Sequence, residues 1–217
     1  MNYSILITIV LVALLSACTP NSNQESDTPK EMPQEKVKYN SKGEVQRYIR
    51  FDYNENGNKT RGSQYHVDGD LLWYWEFEYV DGRIVKAAIY NGTDEVSVQA
   101  GIANKPSGEY FEYEYEDEDE LNTKIVQYTA NGTVMSYSEK EYNNLSVTKE
   151  SWYTADGTMT YYCEYDYDAD NTLIKGNMFD YAGALTYYET YEYDGKKLIK
   201  ITSYNKSGEN IGYDIIR

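Results

Sequence analysis

Few residues in this chain have types and spacings that could carry out covalent chemistry. It has one histidine, His66, set between Tyr65 and a turn containing Asp68 and Gly69, so a Ser-His-Asp or Cys-His grouping could be built only around that residue. Its turn setting predicts an ordinary exposed side chain. Cys163 lies in a run of alternating residues and reads as a small core hydrophobe, not a nucleophile. A glycosidase needs two carboxylates at a defined separation, but a chain with 36 Asp and Glu supplies such pairs everywhere, and abundance empties the signal. Asp52-x-Asn54-x-Asn56-Gly57 and Asp166-x-Asp168-x-Asp170 match the front half of a calcium loop, yet Ser63 and Asn177 stand where a bidentate Glu is needed. Asp and Asn tolerate positive φ, so both fragments read as hairpin turns. Glu112–Glu120 (EYEYEDEDE) reads as a solvated acidic turn. No enzyme, cofactor or metal site is expected.

Tyrosine is the more informative residue. Gly43, Gly69, Gly132, Gly157, Gly183 and Gly208 recur, and five residues after each comes Tyr48, Tyr74, Tyr137, Tyr162, Tyr188 or Tyr213. With Gly as position 1 these tyrosines hold position 6, and Tyr110 fills it in a copy whose front is stretched by an insertion over Asn91–Pro106. A second series holds position 11: Tyr53, Tyr79, Tyr142, Tyr167 and Tyr193, with Tyr115 in the stretched copy. Each of these follows an acid, Asp52, Glu78, Glu141, Asp166, Glu192 or Glu114. Positions 6 and 11 differ in parity, so on a strand they point to opposite faces, and a single layer cannot bury both. Phenol rings bring rigid amphipathic area at low entropic cost, which suits glycan or protein recognition. Tyr48, Tyr74, Tyr110, Tyr137, Tyr162, Tyr188 and Tyr213 are therefore the candidate ligand-binding residues; the alternative is that they stiffen the sheet by stacking on neighbours.

The elements that must position them follow from the period. Trp73, Trp75, Phe77 and Tyr79 alternate with Tyr74, Glu76 and Glu78, a period of two rich in aromatic residues, which is strand chemistry. Turns such as Asp81-Gly82 and Asp194-Gly195 separate each such run from a shorter one, the signature of a hairpin. Self-similarity at this period predicts about seven stacked hairpins of ~25 residues each. The fold class is thus all-β, an antiparallel meander forming one curled or coiled sheet, with a closed barrel as the alternative, because open sheets seldom exceed ~10 strands. Lys86, Lys149, Lys175 and Lys200 recur in the second strands as partners for the acids, but variable turn lengths leave the pairing open.

The start of the chain is a different material. Ile5–Ala17 is an apolar run too short to span ~30 Å of hydrocarbon, and it ends in Leu15-Ser16-Ala17-Cys18. That ending resembles the lipobox of bacterial lipoproteins, which implies a signal peptide over 1–17 and a lipidated Cys18. Residues 18–37 then form a flexible tether poor in large apolar groups, and 38–217 the repeat domain. A formal charge of −16 argues against nucleic acid or anionic lipid as partners, so the membrane would be reached through lipid alone. The expected location is extracytoplasmic, on the cell membrane or the outer membrane; Thr19 after Cys18 removes one known inner-membrane retention signal.

FDYNENGNKT at Phe51–Thr60 and YEYDGKKLIK at Tyr191–Lys200 resemble the YD repeats of the Rhs family, in which aromatic-x-Tyr-Asp precedes a glycine-bearing turn. That resemblance implies a β-shell element and hints at a structural or immunity-type envelope protein partnering a toxin. A looser similarity, carried by TYYETYEYDGKKL, is to the aromatic repeats of cell-wall-binding modules, which bind choline or glycans. The leading expectation is a membrane-anchored envelope lipoprotein with a non-catalytic binding or adhesion domain, its partner a glycan or an envelope protein.

Overall fold

The computed structural model describes residues 32–92, 109–116 and 121–217. The signal peptide and Cys18, most of the insertion, and the end of the acidic run lie outside the described residues. Fourteen strands run in chain order: β1 Glu35–Asn40, β2 Val45–Tyr53, β3 Lys59–His66, β4 Leu71–Val80, β5 Arg83–Asn91, β6 Tyr110–Tyr115 and β7 Asn122–Tyr128, followed by β8 Val134–Asn143, β9 Ser146–Thr154, β10 Met159–Tyr167, β11 Leu173–Asp180, β12 Leu185–Asp194, β13 Lys197–Asn205 and β14 Asn210–Ile216. Every strand pairs antiparallel with its chain neighbours, and β1 pairs with β14, so the meander closes into a barrel. Closure, and not an open curl, is thus how fourteen strands dispose of their edges. β1 begins at Glu35, inside the stretch read from sequence as tether.

Hairpin turns alternate between the two ends. Gly43, Gly69, Gly132, Gly157, Gly183 and Gly208 sit at one end with φ between 81° and 100°, a region only glycine enters freely. The other end carries turns such as Asp81-Gly82 and Asn144-Leu145, together with both ends of the described chain. There Gln34 and Glu35 donate backbone N–H groups to the Arg217 carbonyl, at 2.7 and 3.1 Å. The two ends are hereafter the glycine-turn end and the tether end.

Pleat and burial together fix which face is inner. Along β8, Ser138 and Lys140 are buried while Glu139 and Glu141 are exposed; along β10, Cys163 and Tyr165 are buried while Glu164 and Asp166 are exposed. The lumen therefore takes Ile49, Phe51, Trp75, Trp152, Cys163, Ile201 and Ile216, and the outer wall takes the acids and the recurrent lysines. The acid before each position-11 tyrosine faces a base across its hairpin: Asp52 to Arg61, Glu78 to Lys86, Glu114 to Lys124, Glu141 to Lys149, Asp166 to Lys175 and Glu192 to Lys200. A wall charged at mid-strand cannot lie against acyl chains, where Lys or Arg costs ~2–4 kcal/mol each at the midplane; it faces water.

Candidate functional site

The position-6 tyrosines lie on the outer wall, each pressed flat against an aromatic ring of the following strand. Tyr48 stacks on Tyr65, Tyr74 on Tyr90, Tyr110 on Tyr128, Tyr137 on Tyr153, Tyr162 on Phe179, Tyr188 on Tyr204 and Tyr213 on Tyr39. Centroids are 4.7–5.1 Å apart and ring planes within 16°. For six of them a cation from the preceding strand covers the ring: Arg61 over Tyr74, Lys86 over Tyr110, Lys124 over Tyr137, Lys149 over Tyr162, Lys175 over Tyr188 and Lys200 over Tyr213, at 3.7–5.7 Å. Arg50, on the same strand as Tyr48, covers that ring at 5.2 Å. The structure thus distributes the candidate ligand-binding tyrosines one per hairpin around the barrel, and engages the face of every ring within the sheet.

The Gly-to-Tyr spacing has a physical cause. The Tyr137 hydroxyl lies 3.7 Å from the point a Cβ on Gly157 would occupy, and Tyr48, Tyr110, Tyr162, Tyr188 and Tyr213 approach Gly69, Gly132, Gly183, Gly208 and Gly43 in the same way. Each tyrosine thus reaches over the turn of the next repeat, and the last repeat reaches over the first. Position-11 tyrosines do the equivalent on the inner side at the tether end. Tyr79, Tyr142 and Tyr167 donate their hydroxyls to the carbonyls of Lys59, Asn122 and Val147, each 20 residues upstream, at 2.7–2.8 Å. Tyr53 does the same to Pro33, tying down the segment before β1.

Between the two ends the lumen is polar to a degree the sequence did not announce. Lys36 and Asp214 form an ion pair of 3.1 Å with side chains 4% exposed. Ser138 donates to Glu150 Oε1 at 2.8 Å, and Ser203 and Tyr191 donate to Glu189 at 3.1 and 3.3 Å. Burial pushes both carboxyls above the ordinary carboxylate range. Glu150 Oε2, the Tyr161 and Tyr165 hydroxyls, Asn122 Nδ2 and Asp214 Oδ1 are buried without a hydrogen-bond partner. Tyr165 lies beside the Glu150 carboxyl without reaching bonding geometry. Cys163 is buried among Trp152, Tyr165 and Leu173, and burial raises its thiol far above the usual range, which leaves it inert.

Nearer the glycine-turn end the lumen-facing residues become partly exposed. Lys38, Arg47, Trp73, Phe111, Tyr161 and Tyr187 all point inward, since they alternate with the outer-wall stacks, and all lie within a few residues of that rim. One step deeper along the strands, Ile49, Trp75, Cys163 and Glu189 are buried. The inner rim at this end thus carries aromatic rings and two bases, all partly exposed. His66 sits at the same end, exposed, with Nδ1 2.8 Å from Asp68 Oδ2. The calcium-like fragments are occupied by their own turns: Asn54 Oδ1 accepts from Asn56 and Asn58, and Asp168 Oδ1 from Asp170 and Thr172.

No protein-family model matches the chain, and no curated protein matches it. Among solved structures, a porin-like protein from Bacteroides vulgatus aligns over 85% of this chain and 97% of its own, at 8% identity and TM-score 0.48. A protein from Parabacteroides distasonis assigned as a lipoprotein aligns over 85% and 95%, at 9% identity and TM-score 0.32. A Photorhabdus luminescens Tc holotoxin pore aligns over 79% of this chain but only 9% of that one, at 16% identity and TM-score 0.35. This chain thus spans about a tenth of the toxin chain's length, and none of the three similarities assigns a family or a function.

Proposed function

We propose that this protein is a lipid-anchored component of the bacterial envelope whose barrel stands in water and binds a small ligand at the lumen rim of its glycine-turn end, without catalysing a reaction there. The observation that carries this reading is the partly exposed inward-facing set Lys38, Arg47, Trp73, Phe111, Tyr161 and Tyr187, aromatic and basic together, at the end opposite the described chain termini. Concave sites that combine aromatic walls with a few placed polar groups are the usual form of small-ligand sites. The outer tyrosines support the site indirectly: the ring stack on each hairpin holds the rim rigid, and their ring faces are engaged inside the sheet.

Anchorage is tested by labelling cells with a palmitate analogue; incorporation is expected into the whole chain and lost in Cys18→Ala. Ligand binding is tested by native mass spectrometry of the purified domain after incubation with a small-molecule extract of cell envelopes. A bound mass is expected, and it should disappear when the rim is filled by Ser136→Trp while Tyr137→Ala leaves it in place. A bound mass that survives Ser136→Trp but not Tyr137→Ala would return recognition to the outer ladder.

A further inference from the structure

The glycine-turn end carries an apolar surface that neither the ring stacks nor the inner rim accounts for. Among the described residues ten large hydrophobic side chains are exposed, and only Val80, Leu145 and Ile174 of them lie at the tether end. The others are not spread evenly. Around the seam and the β3–β4 turn they alternate with Lys42, Glu44, Asp68, Asp70, Lys206 and Glu209. The turns β7–β8, β9–β10 and β11–β12 place Ala130, Ala155, Tyr181 and Ala182 at their tips, all exposed, with Tyr181 at 72%.

The strands that leave these three turns continue the same surface. They begin with Val134 and Met135 on β8, Met159 on β10 and Leu185 on β12; the first two are exposed and the others half-buried. Val134, Met159 and Leu185 face Tyr128, Tyr153 and Phe179 across the ladder, so each extends an apolar strip begun by a ring stack. The three hairpins are consecutive, with β8 paired to β9 and β10 to β11, and they form one arc of six strands, about 24 Å long at ~4.8 Å per strand. Two acids fall inside the arc, and both are turned onto their own turns. Asp156 accepts from Thr154 Oγ1 and the Thr158 N–H, and Asp180 Oδ1 accepts from the N–H groups of Ala182 and Ala184 at 2.9 Å.

Below the arc the outer wall is negative. Glu139 and Glu164 are exposed there, while the nearby cations Lys124 and Lys149 pair with Glu114 and Glu141, at 3.9 and 3.4 Å. A second copy would bring a charge of −16 against its like, and anionic lipid would be repelled as well. Soluble proteins seldom leave a contiguous apolar patch uncovered, and aromatic and Met side chains are enriched where partners dock. We infer that this arc is a docking surface for a polypeptide segment that presents large apolar side chains flanked by Lys or Arg. The apolar side chains would lie over Met135, Met159, Tyr181 and Leu185, and the flanking cations would reach Glu139 and Glu164. Burial of apolar area supplies the affinity, and the acids select the charge. The inference is independent of the rim ligand, since it uses the turn tips and outer face and that reading uses the inner face.

The test is fluorescence anisotropy of labelled peptides titrated with the purified domain at constant ionic strength. An amphipathic leucine–lysine peptide is set against a leucine–glutamate peptide of the same pattern and a serine–lysine peptide of the same charge. Saturable binding is expected for the leucine–lysine peptide alone. Its midpoint should rise about fivefold or more in Met135→Ser and in Tyr181→Ser, and stay unchanged in Leu145→Ser at the tether end. Urea unfolding checks that each variant keeps the barrel intact. No binding of the leucine–lysine peptide, equal binding of the serine–lysine peptide, or an equal loss in Leu145→Ser would overturn the inference. Sedimentation showing a dimer that Tyr181→Ser dissolves would assign the arc to a second copy instead, and flotation with phosphatidylcholine vesicles that Tyr181→Ser abolishes would assign it to lipid; either result overturns the polypeptide assignment. Loss of the envelope-extract mass in Ser136→Trp bears on the rim alone, so the two readings fail separately.

Discussion

Lys59 should be a residue that the barrel tolerates at a cost, and replacing it by Met should stabilise the protein. Its ammonium sits 4.3 Å above the Phe51 ring, near the lumen cluster of Ile49, Phe51 and Trp75. Burial, with a smaller contribution from Lys36, pulls its pKa from 10.5 to about 8. A folded value below the unfolded one means that charging the amine opposes folding, fully so at pH 7 where both states are protonated. The shift of about 2.5 units corresponds to roughly 3.4 kcal/mol at 1.36 kcal/mol per unit. Lys59 as a residue is only half-buried, so water screens part of this, and about 1.5–2 kcal/mol is the expected gain for Lys59→Met. Urea unfolding measures it, and for a barrel of this size the thermal midpoint should rise by about 3–8 °C. The sign of the pH dependence is diagnostic. As pH climbs from 8 to 10.5 the folded state sheds the Lys59 proton before the unfolded state does, so the wild type gains stability relative to the variant and the gap closes. A variant less stable than wild type at pH 7, or a gap that does not narrow by pH 10, would refute the assignment of Lys59 as a buried, unneutralised cation.

Other perturbations follow from the same contacts. Glu150 and Glu189 have raised carboxyl pKa values, so their folded forms hold protons longer than the unfolded chain, and stability should fall as pH rises above about 4.5; the double variant to Gln should flatten that fall in urea titrations. Gly62→Ala should cost about 3 kcal/mol by chemical denaturation, since a Cβ there would run into the buried Trp75 ring, whereas Gly157→Ala, strained only by its φ of 86°, should cost about 1 kcal/mol. Tyr142→Phe and Tyr167→Phe each remove one hydroxyl donated to a backbone carbonyl, and each should lower stability by about 1 kcal/mol.

Much of the fold was legible because the repeat constrains itself. The Gly-to-Tyr interval marks a contact between consecutive repeats, and parity alone separated the Tyr137 series from the Tyr142 series onto two faces. Pairing of Glu141 with Lys149 or Glu192 with Lys200 could not be read, because it depends on a bulge before Tyr142 and before Tyr193 that shifts the register by one. Which face was inner also stayed hidden: Tyr occurs on both, and Glu occurs on both, at Glu141 outside and Glu150 inside. Lys38, Arg47, Glu150 and Glu189 carried no local signal, since their interest comes only from burial. Trp73, Trp75 and Phe77 shared a face in the alternation, but nothing in it distinguished the half-exposed Trp73 from the buried Trp75.

The barrel's seam explains how seven hairpins become a closed object. Tyr213 on β14 needs a following strand to supply its stacking ring, and the only strand left is β1, which supplies Tyr39 at 4.8 Å. Lys200 covers Tyr213 as Lys175 covers Tyr188, and the Tyr213 hydroxyl reaches over Gly43 as the Tyr188 hydroxyl reaches over Gly208. The last repeat is therefore completed by the first strand under the same rules that join every interior pair. At the seam the lumen also holds the buried Lys36–Asp214 ion pair between β1 and β14. A stacking rule that repeats around the wall accounts for closure without it. Buried charge is not confined to the seam, since Lys140, Glu150 and Glu189 are buried on β8, β9 and β12 as well, so closure rests on the repeated stack and not on the ions of the lumen.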